Sequence, residues 1–292
     1  MQNVTPVAIA AFGLELVPAV LFGCVADRVV RALGRWPVVV RVAFPAVFVA
    51  PYVMVSISEH MFRWGWFALY AMLPVAIAWL LLRAAAADPG QRGDWRDGFI
   101  LLVVGLAVDL RWFDRAWPLG LRALNELFLV DTGLYGFLAI RQLSGVGFDF
   151  HLRWSEWKTG LRELFFFAPL VIVLGLALGF IHPHSNLPGI GSALLRWVGI
   201  FFFTAVPEEL FFRAWVQNLL ERRMGRRAAL VIASILFGLS HFNKRSVHFN
   251  WRYVLLATIA GIFYGRAWRE QRRVPASTIT HASVDWLWGL WF

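Results

Sequence analysis

Long apolar segments are the feature that most constrains what this chain can fold into. About ten of them follow one another, and a helix needs roughly 20 apolar residues to cross the hydrocarbon core of a bilayer. They lie near 5–25, 37–57, 66–82, 99–116, 120–140, 164–181, 193–219, 228–243, 253–266 and 276–292. The last two are short, and Asp109, Arg111 and Asp114 interrupt the fourth. The sequence therefore predicts an all-α fold, a polytopic transmembrane helical bundle with about 8–10 spans.

The composition supports this fold class and excludes several functions. Hydrophobic residues make up 59% of the chain and charged residues 16%, whereas soluble domains are about 45–50% apolar and about 25% charged. A disordered chain, a nucleic-acid-binding domain and a typical cytosolic enzyme are excluded, so the net charge of +10 does not indicate a nucleic-acid partner. Cys24 is the only cysteine, which excludes an intrachain disulfide and a cysteine-based metal site.

Basic residues follow the apolar segments in an alternating pattern. The clusters are Arg28, Arg31 and Arg35; Arg83, Arg92 and Arg96; Arg153, Lys158 and Arg162; Arg222, Arg223, Arg226 and Arg227; and Arg266, Arg269, Arg272 and Arg273. The positive-inside rule places these clusters in the cytoplasm and both termini outside. Lys244, Arg245 and Arg252 fall on the outer side and oppose the rule. We expect a multi-pass protein of the cell's inner (plasma) membrane, surrounded by the lipid bilayer.

The seventh segment contains two adjacent carboxylates, Glu208 and Glu209. Glu208 precedes the Arg222 cluster by about 14 residues, roughly 20 Å at 1.5 Å per residue, which is near the middle of the bilayer. Glu209 and Arg213 are four residues apart, share a helix face and can form a bidentate salt bridge. This pair is expected to support the structure. Glu208 points about 100° away and lacks that partner, so we interpret it as a candidate general base.

Two further pairs of polar or aromatic residues have helical spacing. Phe237 and His241 are four residues apart, as are His281 and Asp285, so each pair shares a helix face. Taken singly, the histidines fit a hydrogen bond between helices or a pair that locks a helix. Taken with Glu208, they place four ionisable side chains on three membrane helices, which predicts one polar cavity.

Three short motifs carry a resemblance to a known family. They resemble, in order, the Glu-Glu-x-x-x-Arg, Phe-x-x-x-His and His-x-x-x-Asn/Asp motifs of the CPBP family, which includes CAAX prenyl endopeptidases and bacteriocin-processing relatives. The matching stretches are Glu208-Glu209-Leu-Phe-Phe-Arg213, Phe237-Gly-Leu-Ser-His241 and His281-Ala-Ser-Val-Asp285. The resemblance implies an intramembrane endopeptidase with Phe237, Glu209 and Arg213 supporting its site.

The resemblance also implies a division of the chain. Residues 158–292 would form a CPBP-like protease core, and 1–157 would form N-terminal transmembrane helices of unassigned role. Prenyl endopeptidases have Asn at the last motif position, where this chain has Asp285. That difference weakens the case for a prenylated substrate more than the case for proteolysis. The expected partner is therefore a membrane-anchored peptide or protein, or a C-terminal sorting or lipidated tail, cut in or near the bilayer.

The family's mechanism can be carried over to matching positions. It implies that Glu208 activates the attacking water with help from His241, while His281 and Asp285 bind the scissile carbonyl and stabilise the oxyanion. Because an oxyanion needs hydrogen-bond donors, His281 is the natural donor, and an ionised Asp285 would orient or charge it. Two other functions remain as alternatives: a non-catalytic immunity or scaffold protein with the same fold, and a transporter whose carboxylates handle protons or cations.

The sequence leaves the metal question open. His241, His281, Asp285 and Glu208 could form a zinc site with two nitrogen and two oxygen ligands. No His-Glu-x-x-His motif occurs, and only two histidines lie within the three motifs. We therefore favour a glutamic-type mechanism without a cofactor and keep zinc as the alternative.

Overall fold

The computed structural model describes residues 5–185, 187–244 and 248–292, and these residues form helices and no strand. The long helical segments are α1 (Pro6–Gly34), α2 (Val38–Ser58), α3 (Trp64–Ala87), α4 (Trp95–Asp109), α5 (Leu119–Ile140), α6 (Trp154–Ala177), α7 (Ile190–Met224), α8 (Arg226–Leu239), α9 (Trp251–Gln271) and α10 (Val274–Trp291). The prediction of an all-α helical bundle is confirmed.

Six helices in the described part of the chain are long and apolar enough to cross a membrane, namely α1, α2, α3, α5, α6 and α7. Helices α4 and α8 have only 15 and 14 residues, fewer than the roughly 20 that a span needs. Large apolar side chains are widely exposed, among them Val39, Phe165 and Ile190. Such an exposed apolar surface is stable in contact with lipid and costly in water. The chain is a multi-pass membrane protein.

The chain divides into two compact units, Met1–Ser144 and Gly145–Phe292. In the first unit, the interior of α2, α3 and α5 is rich in aromatic side chains. The rings of Tyr52 and Tyr70 stack with their centroids 5.1 Å apart. The indole N–H of Trp117 donates to the Tyr70 hydroxyl at 2.6 Å, and that hydroxyl donates to Asn125 Oδ1 at 3.1 Å. Buried aromatic polar groups are thus hydrogen-bonded within the unit.

A buried ion cluster joins the ends of three helices in the first unit. The Arg141 guanidinium binds Asp88 at 2.7 Å and Asp97 at 3.0 Å, and the Arg141 and Asp97 side chains are each 1% exposed. Asp97 also completes the capping box of α4 with Asp94. Burial raises the pKa of Asp88, but the N–H groups of the following loop and Arg141 outweigh it and hold that pKa below its usual value. The cluster fixes the α3–α4 loop against the end of α5.

Close helix packing organises the second unit. A Cβ on Gly160 of α6 would lie 2.8 Å from Ile279 Cγ2 of α10, and one on Gly261 of α9 would lie 2.9 Å from Ser234 Cα of α8. Glycine therefore allows these helices to approach more closely than any larger residue would permit. As a result α6, α8, α9 and α10 enclose a common interior.

The segment before α6 holds the turn between α9 and α10. The Val274 N–H donates to the Gly147 carbonyl at 2.8 Å. The Arg273 guanidinium binds Asp149 at 2.7 Å and also binds Glu156. Burial opposes ionisation of Asp149, but hydrogen bonds from the His151 N–H and from Arg273 outweigh it and lower its pKa to about 2. These contacts fix the start of α10, the helix that carries the third motif.

Candidate active site

The Glu208–Glu209 pair lies on a short α-helical stretch between two wider helical turns. Val206–Glu209 is α-helical, and Phe201–Ala205 and Leu210–Gln217 on either side are π-helical. π-helical turns are rare and occur mostly at functional sites. Pro207, which has no N–H to give to the preceding turn, falls where the first wide turn ends. The local sequence thus interrupts the regular helix around the two carboxylates.

Glu209 is bound by two different cations. Arg213 Nε donates to Glu209 Oε2 at 3.0 Å, and both side chains are fully buried. The other oxygen, Oε1, lies 2.9 Å from His281 Nδ1. The expected pairing of Glu209 with Arg213 is present, but the bidentate geometry is wrong, because the imidazole occupies the second carboxylate oxygen. Glu209 therefore links α7 to α10.

His281 lies among three carboxylates. Its Nδ1 faces Glu209, and its Nε2 lies 3.5 Å from Asp285 Oδ2 and 3.9 Å from Glu208 Oε2. A carboxylate can only accept a hydrogen bond, so this arrangement favours an imidazolium with a proton on each nitrogen. The Tyr264 ring stacks on the imidazole with centroids 4.6 Å apart and planes at 15°. Both the charge and the plane of His281 are fixed by its neighbours.

His241 is oriented by its own helix end. Its Nδ1 lies 2.8 Å from the Phe237 carbonyl oxygen and 3.1 Å from Ser240 Oγ. Since a carbonyl oxygen only accepts, Nδ1 carries the proton in this arrangement and Nε2 is left with its lone pair. His241 is buried, its ring centroid is 4.7 Å from that of Tyr253, and it interacts electrostatically with Glu208. In this arrangement His241 Nε2 can accept a hydrogen bond from a water molecule.

The Phe237 ring packs between His241, His281 and Arg213. Its ring centroid lies 4.9 Å from that of His241 and 5.6 Å from that of His281. The Arg213 guanidinium carbon is 5.0 Å from the same ring, within the range of a cation–π contact. Phe237 therefore holds the second-motif histidine, the third-motif histidine and the first-motif arginine at fixed distances.

Glu208 is the least enclosed of the first-motif residues. Its side chain is 24% exposed, whereas that of Glu209 is fully buried. Oε1 lies 3.5 Å from Lys244 Nζ. Oε2 is buried and makes no hydrogen bond to any residue that the structure describes. The site thus contains one carboxylate oxygen that is shielded from solvent and available to accept a proton.

An apolar cavity of about 100 Å³ adjoins the site. His241, His281 and Asp285 lie at its polar end, and Glu208 is not part of its lining. The remaining lining is almost entirely apolar and comes from α6, α8, α9, α10 and the segment after α6, including Phe167, Val171, Phe180, Leu256, Ala260 and Trp288. The prediction of a polar cavity was wrong, because α6 and α9 contribute apolar side chains that the motifs do not contain.

Three residues of this site, Lys244, Tyr253 and Tyr264, lie outside the motifs and were not predicted from the sequence. The sequence did mark Lys244 as unusual, since it is a basic residue on the predicted outer side of the membrane, where the charge pattern expects none. The sequence did not mark the two tyrosines, because tyrosines are ordinary components of apolar helices. Arg245, which also opposed the charge pattern, lies outside the described residues.

The motif side chains, as placed, do not form a metal site. No group of three His, Cys, Asp or Glu side chains within residues 5–185, 187–244 and 248–292 is arranged to hold a metal ion. Nδ1 of each histidine already faces another partner, a carboxylate for His281 and a carbonyl oxygen for His241. In the zinc alternative, the carboxylates of Glu208 and Asp285 and the Nε2 atoms of His241 and His281 would have to move closer to one common point.

Comparison with known families identifies the segment that contains this site. Residues 189–287 match the family model described as type II CAAX prenyl endopeptidase Rce1-like. This segment is therefore similar to that family. The match spans about a third of the chain and includes all three motifs, so the resemblance read from the sequence is confirmed. At the level of the family, it supports a CAAX-type intramembrane protease. No curated protein and no solved structure matches the chain.

Proposed function

We propose that the chain is a glutamic-type intramembrane endopeptidase that hydrolyses a peptide bond of a membrane-anchored peptide or protein. The observation that carries this proposal is the pairing of the Glu208 carboxylate with the imidazole of His281, a residue that lines an apolar cavity. A base and a hydrogen-bond donor facing one reaction centre are the two groups that addition of water to a carbonyl needs.

In the proposed reaction, Glu208 Oε2 takes a proton from water while the water oxygen attacks the carbonyl carbon. His241 Nε2 accepts the second hydrogen of that water and orients it. The carbonyl oxygen becomes an oxyanion and receives a hydrogen bond from His281 Nε2–H. Collapse of the intermediate breaks the C–N bond, and the proton held by Glu208 passes to the leaving nitrogen. The first products are a carboxylic acid and an amine, and transfer of the acid proton to the amine then gives a carboxylate and an ammonium group.

Glu209 and Asp285 act on this reaction through His281. Glu209 binds Nδ1 at 2.9 Å and so directs the opposite nitrogen toward the reaction centre. Asp285 lies 3.5 Å from that nitrogen and is 32% exposed. The Asp285 carboxylate stabilises the imidazolium form of His281. In the transition state the developing oxyanion replaces Asp285 as the acceptor of the hydrogen bond from Nε2–H. An asparagine at position 285 could itself donate to the oxyanion.

The cavity indicates the chemistry of the substrate. Its walls are apolar, and its polar end meets the site. A substrate that fits this arrangement places an apolar group, such as part of a lipid chain or of an apolar sorting tail, in the cavity and a peptide bond at its polar end. We place the protein in the inner (plasma) membrane with both termini outside, which requires α4 and α8 to cross the bilayer although they have only 15 and 14 residues. Reporter fusions after Arg227 and Arg273 should read cytoplasmic, and one after His184 external.

The proposal can be tested with purified protein in liposomes. Two fluorogenic peptides serve as probes, one with a farnesylated CAAX end and one with an unmodified apolar tail. We expect cleavage of an internal peptide bond in at least one probe, with each product identified by mass spectrometry. Intact probes, with the protein shown to be folded and inserted, would contradict the proposal and favour the scaffold alternative.

A further inference from the structure

Lys244 is a basic side chain at the site that the three motifs do not contain. Its Nζ lies 3.5 Å from Glu208 Oε1, and the Lys244 side chain is 39% exposed. Only two of the 28 basic residues are lysines, Lys158 and Lys244. The charge pattern of the membrane helices does not account for a cation here, since Lys244 follows α8 on the side that has few basic residues.

The backbone N–H and carbonyl groups of Lys244 are both hydrogen-bonded. Its N–H donates to the His241 carbonyl at 3.2 Å, and its own carbonyl accepts from Asn250 Nδ2 at 3.1 Å. The Asn250 N–H donates to the Phe242 carbonyl at 2.8 Å, and Asn250 Oδ1 caps α9 by accepting from the Tyr253 N–H at 3.3 Å. Lys244 is thereby tied to the second-motif histidine and to the start of α9.

The charges at the site leave a distinct role for this ammonium group. Glu208, Glu209 and Asp285 converge on His281. The guanidinium of Arg213 binds Glu209, so it does not neutralise the neighbouring Glu208. A carboxylate in apolar surroundings is costly unless a cation is close to it. Among the described residues, the Lys244 ammonium lies nearest to Oε1 of Glu208, whereas the His281 imidazole lies nearest to Oε2.

We propose that Lys244 is a positioning residue that holds Oε1 of Glu208 and so directs Oε2 toward the reaction centre. The inference rests on the proposed function and adds a residue to it. Lys244 acts on the chemistry through Glu208 and does not touch the reacting bond. Loss of its charge should lower kcat and leave KM unchanged, because the cavity that binds the apolar part of the substrate does not include Lys244.

The kinetic test compares three variants in liposomes with whichever peptide probe the wild type cleaves. Lys244→Met removes the charge, Lys244→Arg keeps it, and Lys158→Met removes the other lysine as a matched control. We expect Lys244→Met to lower kcat at least tenfold with KM within twofold, Lys244→Arg to recover most of kcat, and Lys158→Met to equal the wild type. An unchanged kcat in Lys244→Met would overturn the proposal, and an increased kcat would show that Lys244 blocks the site.

A second measurement tests the contact without any substrate. Acetic anhydride labels lysines, and mass spectrometry compares the labelling rate of Lys244 with that of Lys158 in the same sample. Because an ion pair protects the amine, Glu208→Gln should raise the labelling of Lys244 relative to Lys158 severalfold. An unchanged ratio would overturn the inference even if the peptide probes are cleaved. If no probe is cleaved but the ratio rises, the contact stands and the proposed function fails.

Discussion

Two groups of charged side chains, the Arg141 cluster of the first unit and Glu208 of the second, differ in how completely they are paired. In the first unit, Arg141 donates to both oxygens of Asp97, and two backbone N–H groups together with Arg141 bind Asp88. In the second unit, Glu208 is approached by cations at 3.5 and 3.9 Å, and its buried Oε2 has no hydrogen bond within the described residues. A fully paired cluster stabilises a fold, whereas an incompletely paired carboxylate beside the three motifs remains available for chemistry.

The largest effect on stability is expected from breaking the paired cluster. Arg141→Met would leave Asp88 and Asp97 without their guanidinium, and removing one partner of a buried ion pair costs about 3–5 kcal/mol. We expect a strong loss of folded protein in detergent, measured by yield and thermal midpoint. Arg83→Met, which changes an exposed arginine of α3, should behave like the wild type. Equal stability of the two variants would show that the cluster is not a structural element.

A smaller loss of stability is expected when the paired part of the site is changed. Glu209→Gln keeps the shape of the side chain but removes the charge between Arg213 and His281, both of which are buried. We expect a lower thermal midpoint together with reduced cleavage, because both the packing of α7 on α10 and the orientation of His281 depend on Glu209. A variant with full stability and full activity would contradict this double role.

Asp285 distinguishes the glutamic mechanism from the zinc alternative. Asp285→Asn should retain cleavage within about tenfold, because the amide can donate to the oxyanion, whereas a zinc site would lose an anionic ligand. We also expect far less than one zinc per chain by elemental analysis and unchanged activity after chelation. Stoichiometric zinc, with activity lost on chelation and restored by zinc, would overturn the choice.

The smallest effect is expected from acid. The pKa of Asp149 is lowered to about 2 in the folded protein, and its unfolded value is about 3.9. Its contribution to stability is therefore complete above about pH 4 and is lost as the pH falls toward about 2. We expect the thermal midpoint to fall across this range, and to fall less in Asp149→Asn, which should start from a lower value at neutral pH. Parallel curves for the two proteins would exclude Asp149 as the cause.

The sequence predicted the parts of the site that lie on single helices. The face shared by Glu209 and Arg213 follows from a separation of four residues, and the order of the motifs was sufficient to identify the Rce1-like segment. The contact of Glu209 with His281 joins two helices, so it depends on how α7 and α10 cross. Helical spacing contains no information about that crossing, and the bidentate pairing was therefore predicted wrongly.

Other features depend on packing that no motif specifies. The apolar cavity is formed by α6 and α9 together with α10, and the contact of Lys244 with Glu208 depends on the path of the chain after α8. The number of spans was predicted only as a range, because α4 and α8 are apolar but short. Length and hydropathy distinguish a spanning helix from a short buried one only when the segment is clearly long enough.

The proposed reaction depends most directly on Glu208 as the general base, and one kinetic measurement tests this role. Single-turnover cleavage in liposomes is compared for the wild type, Glu208→Gln and Glu59→Gln, an exposed carboxylate of the first unit. We predict that Glu208→Gln lowers the rate of bond cleavage by about 10²–10⁴-fold, with an unchanged thermal midpoint and unchanged binding of the probe, while Glu59→Gln equals the wild type. Cleavage by Glu208→Gln at the wild-type rate would contradict this role.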